Sequence, residues 1–166
     1  MARPYLMDRV QTFLDPSADA YNSGYQIQQS LIAIGSGGIM GRGFGQSVEK
    51  FNYLPEAVND SVFAVFGEEF GFIGASALIL LFLAFAARGF RIASEAGTAA
   101  GAYIAVGLTM LIVLSAFLNI GAMLGVLPLT GLPLPFVSHG GTALFAALCA
   151  VGIILNVAGG KKKGSH

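Results

Sequence analysis

Residues 53–88 read YLPEAVNDSVFAVFGEEFGFIGASALILLFLAFAAR, so four carboxylates stand just before or at the start of a long apolar stretch. This stretch begins at about Val62 and ends before Arg88, and a helix that spans a membrane needs about 20 such residues. A charge at the edge of hydrocarbon is costly, so it usually has a partner or a function. The run therefore predicts a membrane helix with polar groups at its amino-terminal end, namely Glu56, Asp60, Glu68 and Glu69.

The composition of the whole chain is that of a membrane protein. Hydrophobic residues make up 55% of the 166 residues and charged residues 11%, whereas a soluble domain averages about 25% charged. The formal net charge is zero, which argues against a nucleic-acid partner, because such domains carry a basic face. These properties predict an all-α polytopic membrane protein.

Three apolar segments are long enough to span a bilayer: residues of about 62–87, 97–121 and 141–157. They divide the chain into a polar loop (1–60), a membrane part (61–158) and a basic tail (159–166). Within the loop, YQIQQSLIAIG (25–35) predicts a short helix at the membrane interface, and GSGGIMGRGFG (35–45) has six glycines in eleven residues. This glycine loop lacks the GK[ST] ending of a P-loop.

The basic residues predict the orientation. Arg88 and Arg91 fall in the expected short turn between the first two spans, and three lysines (161–163) follow the third span. Because lysine and arginine near span ends mark the cytoplasmic side, residues 1–60 and the loop of about 122–138 are expected outside. An external amino-terminal loop without its own translocation signal implies a further span upstream. We therefore expect the chain to be the C-terminal part of a larger membrane protein, and the less favoured alternative is a complete small protein with an exported N-terminus.

The depth of the carboxylates follows from helix geometry. Counting upward from Ala87 at about 1.5 Å per residue, a core about 30 Å thick ends near residue 67. Glu68 and Glu69 would then lie at the outer boundary, and Asp60 roughly 10 Å further out, at headgroup depth. A carboxylate at that depth is positioned to meet the polar head of a lipid-linked substrate, but the usual role of an aspartate before a helix is to cap its N-terminus, and the residues alone favour capping for Asp60. For Glu68 and Glu69 they favour a structural role, paired with an arginine or with backbone amides.

Two stretches resemble the C-terminal half of the SEDS proteins, the family of FtsW, RodA and SpoVE. They run from YQIQQSLIAIGSGG through the LPE…D…FAV…GEE…G motif, and from NIGAML through the P-x-T-G-x-x-LPF-x-S-x-GG signature to IILN. YLPEAVND and GFGQSVEKF are more similar to the FtsW branch than to RodA. Two motifs depart from the family pattern: residues 138–143 read SHGGTA where SYGGSS is usual, so that His139 stands in place of tyrosine, and Ser61 stands where phenylalanine is usual.

The resemblance implies a fold and an activity. SEDS proteins are ten-helix peptidoglycan glycosyltransferases that polymerise lipid II outside the bacterial cytoplasmic membrane, so the three spans would be the last three helices. The motif aspartate, here Asp60, is the family's essential carboxylate. The implied partners are lipid II, a class B penicillin-binding transpeptidase and other division proteins. The fragment alone is expected to be inactive, because three helices cannot enclose the lipid groove of a ten-helix fold.

The resemblance, together with the depth of the carboxylates, implies roles for these residues. A carboxylate near the attacking 4-hydroxyl would act as general base, and a single displacement would invert the anomeric centre. The departing pyrophosphate needs positive charge from protein side chains or from a divalent cation such as Mg²⁺ or Mn²⁺, and backbone amides of the glycine loop are a further candidate. The candidates for binding substrate or pyrophosphate are Arg42, Lys50, Ser138, Gly140 and Gly141, with Glu56, Glu68 and Glu69 as supporting or structural residues.

Three further functions fit the same sequence. A flippase for the lipid-linked precursor would need a polar path through the bilayer, and the second and third spans carry no charge. A RodA-type polymerase would act in cell elongation instead of division. A non-catalytic scaffold would hold proteins of the division machinery together.

Overall fold

The computed structural model describes residues 23–46 and 61–160, and these fold into four helices. They are α1 (Ser23–Gly37), α2 (Val62–Ser94), α3 (Ala99–Met123) and α4 (Gly141–Gly159). Helices α2, α3 and α4 are each long and apolar enough to cross a membrane, which confirms the predicted all-α membrane fold. The predicted site residues Lys50, Glu56 and Asp60, and the lysines of the tail, lie outside the described residues.

Helix α2 is longer than its apolar stretch. The prediction that Arg88 and Arg91 lie in a turn is wrong, because the helix continues to Ser94 and includes both. Arg91 Nε lies 3.0 Å from Glu95 Oε1, an i,i+4 pair that suits a helix end. The turn follows at residues 95–98, and the Thr98 hydroxyl caps α3 by accepting a hydrogen bond from the Gly101 amide. Hydropathy marks where the apolar side chains stop, whereas the helix ends only where its backbone hydrogen bonds end.

Helices α2 and α3 approach closely at one glycine. Gly89 faces Thr109, and a Cβ built on Gly89 would overlap the threonine hydroxyl. Thr109 is fully buried, and its Oγ1 has no hydrogen-bond partner within residues 23–46 and 61–160. Small residues at such crossings let two membrane helices pack backbone to backbone. The glycine therefore sets the distance between the two longest helices.

Gly89→Ala is expected to destabilise the α2–α3 pair by about 1–3 kcal/mol, because the added methyl group overpacks a crossing with no free space. Thermal unfolding in detergent would measure the change. Gly107→Ala is the matched control on α3, since its Cβ would meet no heavy atom within 4 Å apart from its chain neighbours and the nearby backbone of its own helix. Equal melting temperatures for the Gly89→Ala and wild-type proteins would show that the crossing is loose.

The segment between α3 and α4, residues 124–140, folds back between the helices. The Asn119 side-chain amide donates a hydrogen bond to the Leu132 carbonyl at 2.7 Å, and Leu134 is buried. At its tip, Phe136 has a positive φ of 68°, and its ring centroid lies 6.4 Å from that of Phe85 on α2. Leu132, Pro133 and Pro135 of this re-entrant loop line a cavity with Leu111 and Ser115, which lie twelve and eight residues before the end of α3. The loop thus reaches roughly 12–18 Å below the end of α3, a depth at which irregular backbone is tolerated only inside protein or beside water.

Candidate functional site

The candidate site is built on the first segment of α2, residues 62–70. Helix α1 runs beside this segment in the same direction, since Gln26 contacts Ser61 near the start of both helices and Gly37 lies against Gly67 further along. A Cβ on Gly37 would overlap the Gly67 carbonyl oxygen, so glycine is required for this approach. The two helices therefore form one packed unit at the amino-terminal end of α2.

Helix α2 is broken at Gly71, whose φ of 65° and ψ of −164° lie outside the helical region. Only glycine adopts this backbone conformation readily. The break removes the helical hydrogen bonds from the Phe72 and Ile73 amides to the Glu68 and Glu69 carbonyls. Four backbone groups at membrane depth are thereby left in need of other partners.

The glycine loop supplies these partners. The Phe72 and Ile73 amides donate to the Gly38 and Ile39 carbonyls at 2.9 and 3.2 Å. In return, the Glu68 and Glu69 carbonyls accept from amides of the loop at 3.0 and 3.1 Å, those of Arg42 and Gly43 respectively. The loop therefore inserts into the break and makes four hydrogen bonds where an unbroken helix makes two. We call this arrangement the splice (residues 38–43 with 68–73).

The splice contradicts one hypothesis from the sequence. The Gly41, Arg42 and Gly43 amides were candidates for binding pyrophosphate, but Gly41 donates to the Gly37 carbonyl at 2.8 Å and the other two donate to α2. The hypothesis is wrong for these three amides. The physical reason is that buried backbone N–H groups must form hydrogen bonds, so these three amides pair with backbone carbonyls and are not free to bind an anion.

Arg42 projects from the splice next to a buried carboxylate. Its Nη1 lies 3.4 Å from Glu68 Oε1, and the two side chains are 43% and 1% exposed. The guanidinium carries five N–H donors, and the contact at Nη1 uses only part of them. The carboxylate thus holds the cation in place while 43% of the side chain stays exposed. A pyrophosphate-binding role for Arg42 stays a prediction.

Glu69 differs from its neighbour. It is 6% exposed, and no described residue donates a hydrogen bond to its Oε1. Buried polar atoms nearly always have a partner, so such an atom calls for a specific explanation. Its backbone carbonyl is held by Gly43, but its side chain is not held at Oε1. The two adjacent glutamates therefore have different environments, which the sequence does not distinguish.

The signature residues after α3 contact a different part of α2. The Ser138 hydroxyl is buried and accepts a hydrogen bond from the Leu134 amide at 2.8 Å; Gly140 is the N-cap of α4, and Gly141 is exposed. Residues 135–137 line an apolar cavity of about 250 Å³ with α2 residues from Leu78 to Phe85. Leu78 follows Glu68 by ten residues, about 15 Å along the axis. The structure thus places the signature and Arg42 at different depths of α2.

Sequence reasoning missed the contact at the start of α2. Ser61 is the N-cap residue, but its hydroxyl makes no capping hydrogen bond. It accepts one instead from Gln26 Nε2 at 2.8 Å, across 35 positions of sequence. The only sequence signal for this contact was Ser61 itself, which places a hydroxyl where the family that the chain resembles usually has phenylalanine. The N-cap position therefore belongs to the residue after Asp60.

The predicted divalent cation has no ligand set in the part of the chain that the structure describes. Within residues 23–46 and 61–160, no three His, Cys, Asp or Glu side chains lie close enough together to hold one ion. His139 is exposed and belongs to no such group. A metal requirement stays a prediction.

Comparison with known proteins places this geometry in a family. Residues 1–163 match the model of the FtsW, RodA and SpoVE family, described as cell cycle protein. The chain is 46% identical over 157 residues to stage V sporulation protein E of Bacillus subtilis, covering 95% of this chain and 43% of that protein. It is 48% identical over 157 residues to a probable peptidoglycan glycosyltransferase FtsW of Thioalkalivibrio sp., covering 93% of this chain and 39% of the relative.

A solved structure has the same fold. It is described as "Structural coordination of polymerization and crosslinking by a peptidoglycan synthase complex" and matches with a TM-score of 0.74 at 30% identity. The match covers 97% of this chain and 44% of that one. The chain thus spans about two fifths of the length of the proteins it matches. This multi-pass membrane chain belongs to the FtsW/RodA/SpoVE family of cell cycle proteins.

Proposed function

We propose that the chain is the C-terminal part of a peptidoglycan glycosyltransferase that polymerises lipid II in septal wall synthesis. The observation that carries this proposal is the 48% identity over 157 residues to a protein named as such an enzyme. In this proposal the C-terminus is cytoplasmic and the first segment of α2 lies at the outer face of the inner membrane, and the support for this orientation is the position of the basic residues in the sequence. There a polar head group would meet the site while its lipid tail stays in the bilayer.

The reaction joins two lipid-linked sugars in one displacement. The 4-hydroxyl oxygen of one disaccharide attacks the anomeric carbon of another; the new C–O bond forms as the bond to pyrophosphate breaks. The hydroxyl proton passes to the Asp60 carboxylate, and the electron pair of the broken bond leaves on the lipid pyrophosphate. A general base contributes typically 10²–10⁴ in rate. This single displacement inverts the anomeric centre.

Arg42 is suited to the leaving pyrophosphate. A guanidinium pairs well with phosphate oxygens, and this one is held by Glu68 and the splice while 43% of its side chain stays exposed. Because the Arg42 amide is itself fixed to the Glu68 carbonyl, the cation is positioned by backbone as well as by charge. Such preorganisation is what makes a donor effective against charge that develops in the transition state. Lys50 is the second candidate cation and lies outside the described residues.

Arg42→Gln is expected to lower kcat for polymerisation on the order of 10²-fold, the loss typical of one donor to a developing anion. The assay uses the full-length protein of this proposal, of which the chain is the C-terminal part. Arg42→Lys should recover part of the rate because it keeps the charge. The control is Arg91→Gln, since Arg91 also pairs with a glutamate but at the other end of α2. A wild-type kcat for Arg42→Gln would remove Arg42 from the site.

A class B penicillin-binding transpeptidase is the proposed partner, together with other division proteins. The support is the structural neighbour, which is described as coordinating polymerisation with crosslinking. Binding of these partners has to be tested with the full-length protein. Co-purification of the transpeptidase with the full-length protein, but not with an unrelated membrane protein of similar size, is the expected result.

Transport of the lipid-linked precursor is the competing function. Helices α3 and α4 carry no charged side chain, and their buried polar groups, such as Thr109 and Asn119, are few. Purified full-length protein in vesicles separates the two functions. Polymer formed from added lipid II supports the polymerase function. Movement of labelled lipid between leaflets without polymer would support the flippase function instead.

A further inference from the structure

The end of α2 farther from the candidate site carries two exposed arginines on one face. Arg88 and Arg91 are three residues apart, a spacing that makes side chains neighbours on a helix surface. Together with Ile92 and Glu95 they line a pocket of about 200 Å³. Neither arginine takes part in the proposed reaction, so this pocket needs an explanation of its own.

The pocket carries an excess of positive charge. Arg91 Nε donates a hydrogen bond to Glu95 Oε1 at 3.0 Å, which uses one of the five N–H donors of the guanidinium. Arg88 forms no ion pair with any residue of the described ranges, 23–46 and 61–160. Two arginines therefore line the pocket with one carboxylate, and an anionic group would balance the remaining charge.

The arginines lie where a membrane changes from hydrocarbon to head groups. After its break, α2 runs from Phe72 to Ala87 without a charged residue, about 24 Å at about 1.5 Å per residue. The hydrocarbon core is about 30 Å thick, so Arg88 lies near its boundary and Arg91 about 4.5 Å further out. Tyr103, 78% exposed near the start of α3, is an aromatic residue of the kind enriched at this boundary.

An exposed apolar strip leads from the arginines into the membrane. Its residues precede Arg88 and Arg91 by successive steps of three and four positions, so they share one helix face. All of them are exposed: Ala77, Leu80, Leu81, Ala84 and Ala87. The strip extends about 16 Å along the axis from Arg88, roughly half of the hydrocarbon core, which is the depth of one leaflet.

We propose that this face of α2 binds an anionic phospholipid. The phosphate of the head group lies between Arg88 and Arg91, and the acyl chains lie along the apolar strip. Guanidinium groups pair well with phosphate oxygens, and basic pockets beside membrane helices bind anionic head groups. A lipid such as phosphatidylglycerol supplies both an anion and an apolar tail, whereas free phosphate supplies only the anion. Binding of this lipid does not depend on the proposed polymerase reaction, since it requires only that α2 spans the membrane.

The test measures the affinities of phosphatidylglycerol and phosphatidylcholine for the detergent-solubilised full-length protein by native mass spectrometry. Phosphatidylglycerol should bind about 5- to 25-fold more tightly, because each basic residue near a membrane surface strengthens binding of anionic lipid about 5-fold. Arg88→Gln should weaken phosphatidylglycerol about 5-fold and the double variant with Arg91→Gln about 25-fold, with phosphatidylcholine unchanged. Arg88→Lys is the matched control and should retain most of the affinity, since it keeps the charge. Without lipid, all variants should melt at the wild-type temperature, because both side chains are exposed.

Several outcomes would contradict this site. Equal affinities for the two lipids, or wild-type affinity of Arg88→Gln for phosphatidylglycerol, would show that the arginines do not select an anionic head group. Equal losses in Arg88→Lys and Arg88→Gln would assign the effect to packing instead of charge. Retention of neither lipid would mean that other protein segments cover the strip. Excess inorganic phosphate should not displace phosphatidylglycerol, and displacement would identify a free anion as the ligand in place of a lipid.

Discussion

Asp60→Asn in the full-length protein is expected to slow glycan polymerisation by about 10²–10⁴, the contribution typical of a general base. The substitution keeps the size of the side chain and removes its charge and basicity. Asn and Asp cap helices about equally well, so a capping role would survive the change. The protein should therefore still fold, insert into the membrane and bind the proposed transpeptidase partner. Polymer formed from purified lipid II is the measurement.

Two conservative variants serve as controls for Asp60→Asn. Glu56→Gln changes a carboxylate close in sequence to the site, and Glu95→Gln changes one at the opposite end of α2, where Glu95 pairs with Arg91. Each should lose much less activity than Asp60→Asn. Polymerisation by Asp60→Asn at nearly the wild-type rate would end the catalytic interpretation and return the residue to a structural role.

Gly71→Ala is expected to disrupt the splice and to destabilise the protein by about 3 kcal/mol or more. An added Cβ would overlap the Gly41 amide nitrogen and crowd the Ile39 carbonyl, and the positive φ disfavours any other residue. Relief of the clash would break hydrogen bonds between the loop and α2, leaving backbone groups unpaired at membrane depth. Thermal unfolding in detergent and the yield of folded protein in membranes would measure the loss.

Gly152→Ala is the matched control for Gly71→Ala, because Gly152 lies within α4 and its Cβ would meet no heavy atom within 4 Å apart from its chain neighbours and the nearby backbone of its own helix. It should be neutral or slightly stabilising, as alanine favours helix over glycine by about 1 kcal/mol. Gly41→Ala should resemble Gly71→Ala, since its Cβ would overlap the Glu69 carbonyl oxygen from the other side of the splice. Normal stability of both splice variants would contradict the arrangement.

The splice also links stability to the site. Arg42 and Glu68 meet because the loop backbone is hydrogen-bonded to α2 on both sides of Gly71. Loss of the splice should therefore reduce activity in whatever protein remains folded. Glu68→Gln, which removes one charge but leaves the backbone alone, should reduce activity without the large loss of stability.

The sequence by itself determined that this protein lies in a bilayer and that its apolar segments are helices. The low charge and three apolar segments require a bilayer, and each segment became a helix because unpaired backbone groups are too costly in hydrocarbon. The LPE…D…GEE motif and the LPF-x-S-x-GG signature identified the FtsW/RodA/SpoVE family. Hydropathy misplaced Arg88 and Arg91, because it records side-chain polarity and not the continuity of backbone hydrogen bonds, which carry α2 to Ser94.

Only the tertiary structure decided how these helices are joined at the candidate site. The six glycines in 35–45 indicate a flexible backbone, but they do not show which segment the loop binds. In the structure the loop pairs with the backbone of α2 at the break at Gly71. The Gln26–Ser61 bond and the re-entrant loop held by Asn119 likewise join residues far apart in the chain. Local propensity carries no information about such contacts, since each depends on where packing brings two distant segments together.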